Sequence, residues 1–236
     1  MRPTSKALMT AVSFKKSERE AAMSTKNKRK APPPALNADV RRLLKKYNCP
    51  SQLHEVRAQF MGAIASPVDS INPTEEIKRL WRGEMPDFAS LAAADEFMQV
   101  LVMGLWNQQA GHFGAFHTFA LTQDAPEPTE KALKAHAKLR FEELQAFLVG
   151  FFQGEDSLHI DPEVGDCLDV LDDLIRMFGG ISRLRKETRV VPREEILGLI
   201  NQLAELTTIA QREINQIIAL AAQERGGDEG APPRLH

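Results

Sequence analysis

At 236 residues, 43% hydrophobic and 26% charged, the chain has an ordinary globular composition and length enough for one sizeable core. Its formal net charge of −2 is unevenly spread: residues 1–30 carry nine Lys and Arg against Glu18 and Glu20, or +7, which leaves −9 for residues 31–236. The two cysteines, Cys49 and Cys167, have no paired spacing, which excludes a disulfide framework or a zinc ribbon and points to a reducing cytosol.

In chain order, residues 1–37 come first. They are rich in Lys, Ser, Thr and Pro, end in APPPALN, and bury too little apolar area to offset the entropy of ordering. A disordered basic arm is expected there. Residues 1–30 suit weak, nonspecific contact with nucleic acid or a solvated tail, with Phe14 as the arm's one aromatic residue. The stretch ALMTAVSF is too short and polar for a signal-peptide core, and Met23 offers an alternative start.

An all-α, compact multi-helix domain is expected over residues 38–225, with a disordered tail over 226–236. A first helix falls near 38–47. Proline then recurs where its missing N–H and fixed φ suit a first helical turn. Cys49-Pro50-Ser51-Gln52 opens one helix, Asn72-Pro73-Thr74-Glu75 the next and Asp161-Pro162-Glu163-Val164 a later one. Asn72 and Glu75 have the spacing of a capping box. Further helices are expected over 86–122, broken at Gly111 or Gly114, over 129–153 and over 192–225. Gly83 and Gly179-Gly180 suit left-handed terminators. The apolar run FMQVLVMGLW at 97–106 is half of the ~20 residues a membrane span requires, so it reads as a core helix and no membrane contact is expected. No segment alternates with the period of a half-buried strand.

Within the helix at 162–178, Val164, Cys167, Leu168, Leu171, Leu174, Ile175 and Phe178 form a stripe at threes and fours. Asp166, Asp169 and Asp173, with Asp172 nearby, make another side densely negative. That side reads as a solvated face or as a surface for a basic protein partner, because a rigid helix splays its carboxylates too far for a calcium or magnesium site. The last helix carries a heptad seam through Ile196, Leu199, Leu203, Leu206, Ala210, Glu213, Ile217 and Leu220. Packing within the monomer is the expected use of this seam, and a homodimer is the other.

No catalytic motif is complete. His54-Glu55 invites a metalloprotease reading, but Ala58 stands where the second histidine would be needed. His112 and His117 lie on a glycine-broken segment whose aromatic density argues for a packed face. Residues 179–186, GGISRLRK, read as a helix end followed by a solvated loop rather than a phosphate loop. No Glu-x-x-His pair, nucleophile elbow or nucleotide fingerprint occurs. No catalytic residue, metal or cofactor is expected.

The stretches CPSQLHEVRAQFMGAI and EELQAFLVGFFQGEDSLHIDPEVGDCLDVLDDLIRMF together resemble the YecA/YgfB-like family of small helical bacterial proteins. Pro50, Gln52 and His54 match that family's first motif, and Phe147, Gly150 and Gly154 its second. Cys49 replaces the hydroxyl cap, Glu55 stands where a glycine is usual, and residues 107–128 have no counterpart. The cysteine-rich zinc-binding tail of some longer relatives is missing, so its ligands do not carry over. The resemblance implies a structural role for His54, bonded to a neighbouring backbone or carboxylate group. It also implies a protein of the bacterial cytoplasm with no assigned activity. The function expected is therefore a non-enzymatic adaptor or regulator that binds a protein partner. A metal-dependent enzyme with an unrecognised His/carboxylate site, or a nucleic-acid accessory protein acting through the arm, are the alternatives.

Overall fold

The computed structural model describes residues 34–226, apart from 69–70, 114–117, 124–125, 156–157 and 184–191. The chain divides into two units at Pro32, and the fold below is that of the second. The expected basic arm up to residue 33 and the tail from 227 lie outside the described residues.

Among the described residues every regular element is helical. In order they are α1 (Pro34–Lys46), α2 (Leu53–Ala65), α3 (Pro73–Leu80), α4 (Leu91–Met98), a π-helical stretch (Gln99–Trp106), α5 (Asn107–Ala110), α6 (Glu130–Phe152), α7 (Pro162–Ser182) and α8 (Arg193–Glu224). From Ala58 to Ala65, α2 is buried on all sides. A helix apolar all round is a central one, and α2 packs against α6, α1, α3, α5 and α8.

The α2–α6 crossing is set by two glycines. A Cβ on Gly62 would stand 2.0 Å from the Phe147 carbonyl oxygen, and one on Gly150 would stand 2.0 Å from that of Gln59. Backbone therefore meets backbone from both sides, which no other residue type permits. Around the crossing lie Phe60, edge-on to Trp106 at 5.2 Å, and Phe147, stacked on Phe151 at 6.3 Å. A second aromatic group gathers on Phe97, with Tyr47, Trp81 and Phe88 all edge-on at 5.1–5.4 Å.

Helices α6, α7 and α8 continue the bundle as successive neighbours. The expected stripe of α7 is buried at all seven positions, Val164 to Phe178.

Several boundaries differ from the sequence expectation. Helix α1 starts at Pro34, so residues 34–37 belong to the domain and not to the arm. Pro50 lies ahead of α2 rather than in its first turn. The cap is Gln52, whose backbone N–H donates to Glu55 Oε2 at 2.6 Å. At α3, Asn72 Oδ1 accepts from the Thr74 amide at 3.0 Å, but Glu75 pairs with Lys78 at 2.7 Å instead of closing a capping box. The helix expected over 86–122 begins at Leu91, where the Ser90 hydroxyl accepts from the Ala93 amide, and ends at Gly111. Gly179 does not terminate α7, which runs on to Ser182. A Cβ on Gly179 would sit 3.0 Å from the Phe141 ring, so this glycine admits an aromatic neighbour.

The seam of α8 is buried along one of its two lines, Ile196, Leu203, Ala210 and Ile217, while Leu206 and Leu220 are half-buried. Leu203 and Ile217 are 1% and 0% exposed, within the chain's own core, whereas Leu199 is 36% exposed. Beyond Ala210 the buried set keeps Glu213 and Ile217 and widens to Ile214, Ile218 and Ala221.

Candidate functional site

Two surfaces of opposite charge stand out, one anticipated from sequence and one not. The first is the outer side of α7. Asp166, Asp169 and Asp173 are exposed there, and Asp172 is half-buried. Arg176 bonds to both Asp172 and Asp173, the latter at 2.7 Å, and so offsets part of the charge. Between the carboxylates, Val170 and Met177 are 37% and 51% exposed. These two lie seven residues apart, near enough to one side of the helix to share the acidic face.

The second surface is a cleft of about 640 Å³ where α1, the following turn and the first turns of α2 meet the extended segment at Thr122. Arg41 and Lys45, one helical turn apart on α1, and Arg57 and His54 on α2 line it, and no carboxylate does. Asn48, at the turn, has φ 51°, a left-handed conformation that asparagine tolerates and that reverses the chain between the helices. Arg41 and Lys45 make no ion pair among the described residues.

Arg57 is the most constrained of these cations. Its Nη2 donates to the Ala120 carbonyl at 3.3 Å, and its guanidinium lies 5.9 Å from the Phe119 ring centre. Its Nε is buried with no partner. Burial lowers its pKa below the ordinary arginine value. Glu143 opposes that shift, and the like charge of Arg41 adds to it.

The segment that closes the cleft is tied down from beneath. The Thr122 amide donates to Glu143 Oε1 at 2.8 Å, and Arg140 Nη2 donates to the Thr122 carbonyl at 2.5 Å. Arg140 and Glu143, each 3% exposed at the side chain, pair with one another. Farther along, Asn215 of α8 clasps Phe119, accepting from its amide at 2.8 Å and donating to its carbonyl at 3.0 Å.

His54 Nε2 lies 3.2 Å from Glu142 Oε2, and Lys138 takes the other oxygen of that carboxylate at 3.3 Å. Cys49 also lines the cleft, but burial, together with Glu55, pushes its thiol up to about 11. It is a neutral thiol at pH 7 and a poor nucleophile. Cys167 is likewise pushed up to about 11 by burial and by its bond to Glu213.

The motif positions have plain structural roles. Gln52 caps α2, Phe147 is 0% exposed, Gly150 makes the α2–α6 crossing, and Gly154, at φ 81°, follows the left-handed Gln153 that ends α6. Pro50 is exposed. Phe113 and Phe119 are buried, so the aromatic segment turns those rings inward, and His112 meets Phe119 edge-on at 6.1 Å. His117 and the cations of residues 184–191 lie outside the described residues. Among the described residues no group of three or more His, Cys, Asp and Glu could hold a metal ion, and no helix is long and apolar enough to cross a membrane.

Sequence reasoning missed Arg41, Lys45 and Arg57. The i,i+4 spacing of the first two was legible, but only the turn at Asn48 brings them opposite Arg57. Fold and surfaces thus define a helical bundle with an acidic outer face and a basic cleft. Comparison with protein-family models, with curated proteins and with solved structures finds no match.

Proposed function

We propose that this chain is a non-enzymatic helical adaptor or regulator that docks a basic protein partner on the outer side of α7, in the bacterial cytoplasm. The observation that carries the reading is the face itself. Asp166, Asp169 and Asp173 stay exposed at threes and fours, with Val170 and Met177 between them, on a helix whose opposite side is wholly committed to the core. Like charges at these spacings cost a few tenths of a kcal/mol per pair. A basic partner would remove that repulsion, and the two apolar side chains would supply contact area once the charges have steered the encounter. The resemblance to the YecA/YgfB-like family is part of the same proposal. Its second motif falls on positions where packing demands those residue types, Phe147 in the core and Gly150 at the crossing.

The test is Asp169→Lys combined with Asp173→Lys. Both positions are exposed, so helicity and melting temperature should stay at the wild-type values, because an exposed pair such as Asp173–Arg176 contributes at most about 1 kcal/mol. Proteins captured by the wild type from the native host should be lost from the variant, mainly through a slower association rate. An unchanged set of captured proteins would show that this face is a solvated surface.

A further inference from the structure

We propose that the cleft between α1 and α2 binds a phosphate-bearing small molecule. Charge balance is the first argument. Residues 31–236 carry a net −9, yet the cleft is lined by three cations and by no carboxylate. Left empty, such a grouping costs free energy. Arg41 and Lys45 stand at neighbour spacing on one helix, and the like charge of Arg41 adds to the burial that lowers the Arg57 pKa, against the opposing pull of Glu143. One singly charged carboxylate would leave most of that charge unmatched. A phosphate monoester, with a charge of about −1.5 to −2 at pH 7 and three acceptor oxygens, comes closer.

Hydrogen-bonding demand is the second argument, and it is independent of the first. Arg57 lines the cleft while its Nε is buried without a partner. A buried donor left without an acceptor carries a desolvation cost, which a turn of the guanidinium toward a ligand oxygen in the cleft would remove. Arginine is also the side chain whose donor geometry best fits phosphate.

The third argument is the frame. Gln52, Leu53 and His54, the cap and first turn of α2, form part of the wall, and the N-terminal end of a helix favours an anion. Glu55 already accepts from the Gln52 amide, so the cations and not the helix end must supply most of the affinity. His54, largely buried in the wall, is already bonded to Glu142. Apolar Leu44 and Leu53, with polar Asn37 and Ser51, complete a lining that suits an organic body attached to the phosphate. At about 640 Å³ the cleft has the size of small-ligand sites, which span ~300–1,000 Å³.

The experiment titrates the full chain with inorganic pyrophosphate and with a nucleoside monophosphate at constant ionic strength, reading heat and melting temperature. Saturable binding of one equivalent, with a rise in melting temperature, is expected for the wild type. Arg41→Gln with Lys45→Gln changes two exposed side chains, so its circular dichroism and ligand-free melting should match the wild type. Its affinity should fall about tenfold for each cation removed. Arg57→Lys keeps the charge but removes Nε and should also weaken binding. The Lys and Arg of residues 1–30 are unchanged in both variants, so binding that persists at wild-type strength places the anion elsewhere and overturns the proposal. Absence of saturation by either probe in the millimolar range overturns it as well.

Discussion

Single residues explain the most where backbone approaches backbone. Gly62 and Gly150 face each other's helices so closely that neither admits a Cβ. Gly62→Ala or Gly150→Ala must push α2 and α6 apart along their most extensive mutual contact. Each should destabilise the protein by about 3 kcal/mol, the upper part of the usual range for overpacking a core. Gly165→Ala is the control, since a Cβ there meets nothing within 4 Å and α7 should gain slightly from the better helix former. Urea unfolding of the three variants checks this, and equal stabilities would mean that the crossing is looser than described. The glycine at 150 had been singled out by a resemblance alone, and its structural reason was not legible. Gly62 carried no signal at all, because nothing in a helical apolar run says which small residue faces a crossing.

Elements differ in how faithfully their sequence pattern reports their burial. For α7 the pattern was sufficient: seven apolar positions were expected to be buried and all seven are. In the 32-residue α8 the seven-residue line from Ile196 to Ile217 is buried as expected, but Leu199 is exposed and the burial of Ile214, Ile218 and Ala221 was not anticipated. Ile217→Asp buries an unpaired charge at a position 0% exposed and should cost more than about 4 kcal/mol, enough to unfold a marginal domain. Leu199→Asp, at a position 36% exposed, should cost no more than about 1 kcal/mol. Circular dichroism with light scattering separates the two uses of the seam. A folded monomer from Ile217→Asp would mean that the seam serves a second copy rather than the core.

For the whole molecule, the edge of the folded body matters for any truncation. The composition shift at APPPALN placed the boundary at residue 37, whereas α1 begins at Pro34. Leu36 is partly buried against the core, and its Cδ1 lies where a Cβ on Gly104 would stand, 2.7 Å away. A chain beginning at residue 38 should therefore be less stable than one beginning at residue 34 by about 1 kcal/mol or more, from the apolar area Leu36 loses and the shortened first turn. Thermal melts of the two truncations decide this. Equal midpoints would place Leu36 outside the cooperative unit.

The sequence by itself determined the helical class, the order of the helices, the caps at Asn72 and Asp161 and the acidic side of α7. Each of these follows from local periodicity, from the fixed φ of proline, or from charges that recur along one helix. Only the tertiary structure decided the central place of α2, the glycine crossing with α6, the continuation of α7 through Gly179, and the cleft. The crossing and the cleft join residues far apart in the chain, Gly62 with Gly150 and Arg41 with Arg57 and Thr122. Their meeting depends on interhelical packing and on the turn at Asn48, and neither leaves a period or a spacing to be read along the chain.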